Sequence, residues 1–382
     1  MDRRVFMRAS VLAAGTAAFS GSLVKGALAA PAQNATSPYG ALLAADANGI
    51  QLPSGFTSQV VARTGQVVSG TSYSWHQAPD GGACFADGTG WIYTSNSEVS
   101  AGGASMIKFD ASGNVTAASR ILSGTSTNCA GGKTPWNTWL SCEEISLGRV
   151  WETYPFGGTA VARPAMGRFK HEAAAADPVR QVIYLTEDET NGRFYRFVPT
   201  TWGNLSAGTL QVLVAGTATS GSFTWTTVPD PDGSPTTTRT QVSGSKSFNG
   251  GEGCWYANDT VWFTTKGDNR VWQLNLLTNT YELAYDDGLV TGTATLTGVD
   301  NITGSSYGDL YVAEDGGNME INMITPDDKI SVFLRITGQS SSEITGPAFN
   351  PAGNRLYFSS QRGTSGSSSG GITYCVTGPF RT

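Results

Sequence analysis

Histidine is almost missing: His76 and His171 are the only two in 382 residues, which excludes a histidine-rich transition-metal site. Cysteine is sparse and odd in number, at positions 84, 129, 142, 254 and 375. None of the five forms a C-x-x-C pair, so zinc-ribbon and thioredoxin-type motifs are unsupported, and one thiol is left over from any pairing within the chain. Charged residues make up only 14%, acids outnumber Lys and Arg by 30 to 24, and there is no basic run, which argues against a nucleic-acid partner. No G-x-S-x-G elbow and no Walker-type loop occurs, so serine-nucleophile chemistry has no support. Apart from the N-terminus, no long stretch holds a 3.6-residue apolar period, and none is apolar enough to span a membrane.

What the chain does have begins with MDRRVFMRAS. Arg3-Arg4 followed by Val5-Phe6-Met7 fits the twin-arginine export pattern, and Ala27 and Ala29 offer a cleavage site. Residues 1–30 are read as a signal peptide and residues 31–382 as one domain, exported to the periplasm or beyond by the Tat translocase. The mature chain is expected to be a monomer that binds no membrane. Glycine is abundant at 48 residues. Short runs of Val, Thr, Tyr and Trp alternate with Gly, Asn, Asp and Ser clusters, a pattern of many short strands.

Those strands repeat. GWIYTSNSE, NTWLSCEE, QVIYLTEDE, DTVWFTTKGD, GDLYVAEDG and NRLYFSSQRG each carry an aromatic among aliphatics, at Tyr93, Trp139, Tyr184, Trp262, Tyr311 and Tyr357. Successive aromatics are 46, 45, 78, 49 and 46 residues apart, close to the length of a four-stranded propeller blade. The long interval coincides with the Ser/Thr/Gly-rich stretch 200–247. The expectation is an all-β, six-bladed β-propeller with an irregular insertion near residues 200–247.

Three residues after each aromatic come Asn96, Cys142, Glu187, Thr265, Glu314 and Ser360. If the repeated strand is the one nearest the axis, these positions converge at the channel mouth. A second set of polar residues lies ten to fourteen residues before the aromatics, at Glu172, Glu252, Asp300 and Glu343. Carboxylates gathered around an axis repel unless cations sit between them. Oxygen-rich cages suit calcium, whereas a thiolate favours iron, copper or zinc. Two readings of Cys142 stand: a metal-bound thiolate beside Glu143, or a small buried hydrophobe or partner of Cys129.

The runs NCAGGKTPWNTWLSCEE, GRFKHEAAAADP, IYLTEDET and EITGPAFNPAGNRLYFSSQRG resemble the PhoX family of bacterial Tat-exported alkaline phosphatases. The resemblance covers essentially the whole mature chain. It implies a propeller whose mouth holds an iron–calcium cluster and hydrolyses a small phosphorylated substrate. It implies Cys142 as the iron thiolate, with Glu98, Glu143, Glu172, Glu187, Asp188, Glu252, Asp300 and Glu314 as further metal ligands. The chain departs from the longer members at Gly250, where they carry an arginine suited to clasping phosphate. Lys266 and Arg362, both at strand ends, are the expected replacements as catalytic cations. Two other readings remain open: a propeller that binds metal or nothing without catalysis, and a calcium-dependent lactonase. The thiolate argues against the lactonase.

Overall fold

The computed structural model describes residues 31–381; the expected signal segment at 1–30 lies outside the described residues. Among the described residues there are 27 strands and six short 3-10 turns, with no α-helix. None has a helix long and apolar enough to cross a membrane.

The strands run as antiparallel meanders around an axis, in a propeller-like arrangement. Six separate blades do not form, however. Hydrogen bonding yields four blades and one nine-stranded sheet that curls nearly closed. The cause lies in the stretch expected to be irregular. Residues 200–247 contribute a hairpin, Asn204–Ala215 with Gly221–Thr227. The second of these strands also pairs with Thr280–Asp286 through Gly221↔Tyr281 and Ser222↔Thr280. That short pairing stitches the third and fourth meanders together, and their first strands, His171–Asp177 and Gly251–Ala257, pack side by side. Beyond this hairpin, residues 228–247 of the insertion form no strand.

The first strands of the successive meanders are Pro79–Asp87, Asn128–Lys133, His171–Asp177, Gly251–Ala257, Val299–Gly304 and Ile344–Phe349. Each packs on the next and the last on the first, closing a ring about the axis. Small residues make this approach possible: a Cβ on Gly81 would come within 2.5 Å of Ala130 Cα, and one on Gly253 within 2.5 Å of Ile302 N. The aromatic strands identified by the repeat are therefore second from the axis, not nearest to it.

Away from the axis, aromatic and aliphatic side chains fill the wedges between sheets. Tyr93 stacks on Tyr357 at 4.9 Å across the first and last sheets, and Trp91 Nε1 donates to Tyr357 Oη at 3.0 Å. The last sheet is completed from the N-terminal side: Thr57–Arg63 pairs with Ile372–Thr377. A cavity of about 400 Å³ opens along one end of the axis, lined by Cys84, Gly132, Lys133, Cys254, Trp255 and Phe349 among others, and it includes none of the axial acids.

Candidate metal centre

The functional end of the axis is built by a repeated irregularity. In each meander the first and second strands meet at one end in a register pair: Pro79↔Ser97, Asn128↔Glu143, His171↔Glu187, Gly251↔Thr265, Val299↔Glu314 and Ile344↔Ser360. Beyond that pair the register shifts. Bulges of this kind break the in-and-out alternation and re-aim a side chain. In five meanders the first residue past the pair is Asp80, Cys129, Glu172, Glu252 or Asp300; in the sixth, Thr345 remains paired and the shift follows it. On the second strands the residue after the pair is Glu98, Glu144, Asp188, Lys266, Asp315 or Gln361. An inner ring and an outer ring result, both polar.

Their side chains converge. Three triplets offer ligand atoms within 4.8 Å of one another: Asp80, Glu98 and Cys129; Cys129, Glu144 and Glu172; and Glu172, Glu252 and Asp300. Asp80, Glu172, Glu252 and Asp300 are at most 4% exposed. Glu172 is fully buried and neither of its oxygens has a hydrogen-bond partner.

The remaining carboxylates are tied by neighbours. Gln361 Nε2 donates to Asp80 at 2.6 Å and to Glu98 at 2.5 Å. Lys170 Nζ bridges Asp188 at 2.6 Å and Glu144 at 2.9 Å. Lys266 Nζ lies 3.1 Å from Glu252 and 3.3 Å from Asp315. Arg362 Nη2 is 2.9 Å from Glu343. These cations do not neutralise the cluster. Burial first, then the neighbouring acids, holds Asp80 and Glu172 well above the usual carboxylate range. Burial likewise raises Glu252 and Asp300, although Lys266 pulls both down. Glu343 is pushed up to about 8 by burial and by Asp315. Burial, with Asp80 and Glu172, raises the Cys129 thiol as well.

The mouth brings together eight of the residues singled out in the sequence: Glu98, Glu172, Asp188, Glu252, Asp300, Glu343, Lys266 and Arg362. Four others lie elsewhere. Cys142 is fully buried in an apolar cluster with Leu140, Val150, Met166 and Leu185, so it sits as a small hydrophobe and forms no disulfide. Glu143, Glu187 and Glu314 serve as loop clamps. Each accepts the backbone N–H of the residue six positions on: Arg149 at 3.1 Å, Arg193 at 3.0 Å and Glu320 at 3.1 Å. Glu143 also accepts from Ser126 N, Glu314 from Thr297 N, and Glu187 from Tyr195 Oη and Arg239.

A one-residue offset explains the Cys142 assignment. The paired residue lies three positions after Tyr184, Trp262, Tyr311 and Tyr357 but four after Tyr93 and Trp139. A slip of one residue turns a strand side chain to the opposite face. Sequence reasoning misses Asp80, Cys129, Glu144 and Asp315. The upstream spacing that marks Glu172 and Glu252 also finds Asp80, thirteen residues before Tyr93, and Cys129, ten before Trp139. Both histidines are structural and neutral. His171 Nε2 donates to Gly167 O at 3.0 Å, its ring stacks on Phe169 at 3.7 Å, and burial lowers it to about 4. Burial lowers His76 to about 3.

Fold and site together define a propeller-like all-β protein with an acidic, thiol-bearing axial mouth. The chain belongs to the PhoX family: the family model for alkaline phosphatase PhoX matches residues 93–280. Among solved structures, PhoX of Pseudomonas fluorescens in complex with vanadate, a transition state analogue, is 17% identical, with 91% of this chain and 98% of that chain covered and a TM-score of 0.72. A gluconolactonase of Xanthomonas campestris is 10% identical, with 90% and 99% covered and a TM-score of 0.51. At these identities the likeness concerns the fold. No curated protein sequence matches the chain.

The donor set fits the metals that the family implies. Glu172 is a fully buried carboxylate with no partner from the protein, and so offers its oxygens to a cation. One thiol among hard oxygen donors, Cys129, suits a site that mixes iron with calcium.

Proposed function

We propose that the chain is an exported, metal-dependent phosphomonoesterase that acts on small phosphorylated substrates at the acid rings. The observation that carries this reading is the pair Cys129 and Glu172, a thiol and an unpartnered buried carboxylate sharing one triplet with Glu144. The family and the twin-arginine N-terminus support it.

Asp80, Glu98, Cys129, Glu144 and Glu172 would hold the ions, the thiolate being the donor suited to iron and the carboxylates those suited to calcium. When bound, the metals supply charge neutralisation and Lewis-acid polarisation of the phosphoryl group. The chain's own residues do the rest. The buried inner ring fixes the donors through the strand ladder on either side of each bulge. Gln361 of the outer ring and Lys170, just ahead of the third meander, hold Glu98, Glu144 and Asp188 in place. Arg362, 41% exposed and paired with Glu343 alone, presents its guanidinium at the rim and orients the phosphate as it enters. Gly250 has no side chain to supply such a guanidinium, and its φ of +70°, with an added Cβ 3.2 Å from Asp188 Oδ1, would strain any larger residue there.

Hydrolysis of p-nitrophenyl phosphate tests the proposal. The purified protein is expected to hydrolyse it, to lose activity on chelation, and to regain it when iron and calcium are restored. Activity that survives complete chelation overturns the metal-dependent reading. Opening of a lactone with calcium alone, and no phosphatase activity, favours the lactonase.

A further inference from the structure

The outer ring is not uniformly acidic. Its members in chain order are Glu98, Glu144, Asp188, Lys266, Asp315 and Gln361. At the fourth position an ammonium replaces a carboxylate, and it points inward. Lys266 Nζ contacts Glu252 of the inner ring at 3.1 Å and Asp315 of the next meander at 3.3 Å. Asp300 and Glu172 also act on its charge. Lys170, the other lysine at the mouth, contacts only the outer-ring residues Glu144 and Asp188.

The geometry points to Lys266 as a built-in counter-ion. We propose that its ammonium occupies a cation position between Glu252, Asp300 and Asp315, so that this sector binds one metal ion fewer than its carboxylates would otherwise hold. The inference rests on the reading of the mouth as a metal centre and deepens it. An ammonium cannot share two carboxylates with a divalent ion at hydrogen-bond distance, because the two cations would repel across the same few ångströms. Exchanging a carboxylate for a lysine also changes the local charge by two units, the charge of one calcium ion. The triplet Glu172, Glu252 and Asp300 has the spacing for an ion, and Lys266 stands against one of its members. The triplets around Cys129 have no such lysine on an inner-ring carboxylate. Metal loading is thereby confined to the side of the mouth that carries the thiol.

The test counts calcium ions bound per chain, by equilibrium dialysis of the chelated full-length protein followed by elemental analysis. The proteins compared are the wild type and the variants Lys266→Met, Lys266→Arg and Glu252→Gln. Lys266→Met is expected to bind one calcium ion more than the wild type, Lys266→Arg the same number, and Glu252→Gln the same number while Lys266 is present. Equal counts in the wild type and a folded Lys266→Met protein overturn the inference, as does loss of an ion in Glu252→Gln. If Lys266→Met does not fold without metal, Glu252→Gln decides alone. Zero ions in every protein overturns the metal centre itself, and this inference with it; ions in the wild type without a gain in Lys266→Met overturns this inference only.

Discussion

The side-chain amide of Gln361 donates to both Asp80 and Glu98, at 2.6 and 2.5 Å, and so joins an inner-ring carboxylate to an outer-ring one across the first and last sheets. It is the uncharged member of an otherwise ionic ring, and a neutral donor is what two clustered acids can tolerate without a metal. Gln361→Glu is therefore expected to lower the stability of the chelated protein by roughly 1–3 kcal/mol, the cost of losing the donor and adding a buried like charge. Calcium should recover most of that loss. Urea unfolding midpoints with chelator and with calcium measure both effects; a variant indifferent to calcium would show that the pair lies outside the metal centre.

The pH dependence of the chelated protein follows from the raised carboxylates. Burial and Asp315 push Glu343 to about 8 from an ordinary 4.5, and burial moves Asp80 and Glu172 in the same direction. A carboxyl raised in the folded state binds its proton more tightly there than in the unfolded chain. The stabilisation is fully present below the ordinary value and is lost as pH rises through the folded value, by on the order of 1.4 kcal/mol per unit for each group. The chelated protein should thus be more stable at pH 5 than at pH 8. Metal should flatten or reverse that slope. A chelated protein whose unfolding midpoint climbs from pH 5 to pH 8 would contradict the assignment.

Two cysteines should separate cleanly. Cys129 lies in two of the ligand triplets, while Cys142 is fully buried among apolar side chains. Cys129→Ala should abolish iron binding with little change in the fold. Cys142→Ala should leave iron content intact and cost about 1 kcal/mol through a small cavity. Iron analysis beside urea unfolding reads the two outcomes, and loss of iron in Cys142→Ala alone would reverse the assignment.

The loop clamps make the opposite forecast from metal ligands. Glu187 takes hydrogen bonds from Arg193 N, Tyr195 Oη and Arg239. Glu187→Ala should destabilise the protein by about 2 kcal/mol, since it removes the acceptor of Arg193 N and leaves Tyr195 Oη only Thr238 and Arg239 only Glu189. The number of bound metal ions should not change. A lowered ion count at unaltered stability would place Glu187 in the metal centre after all.

Much of the architecture could be read from the residues, because strand-forming runs and their spacing are local properties. Tyr184, Trp262, Tyr311 and Tyr357 mark equivalent strands at equivalent heights. Tyr93 and Trp139 do not: they sit one residue out of step, and that shift puts the loop clamp Glu143, rather than Cys142, at the position equivalent to Glu187 and Glu314. The spacing ahead of the aromatics marks Asp80, Cys129 and Glu172, but their direction comes from bulges, which depend on how two strands meet. The stitching of Gly221–Thr227 onto Thr280–Asp286 joins residues some sixty apart, and no local pattern announces such a pairing. Family resemblance supplies the iron–calcium expectation, but telling which cysteine lies among the acids requires the register.

The clasp between Thr57–Arg63 and Ile372–Thr377 has a consequence for biosynthesis. The circle shuts only with strands from the two extremes of the chain. Each ligand triplet, by contrast, comes from meanders adjacent in sequence, within residues 80–300. A nascent polypeptide still missing its final segment therefore owns the triplets, but it leaves Asp80 and Glu98 without Gln361, the donor that arrives last.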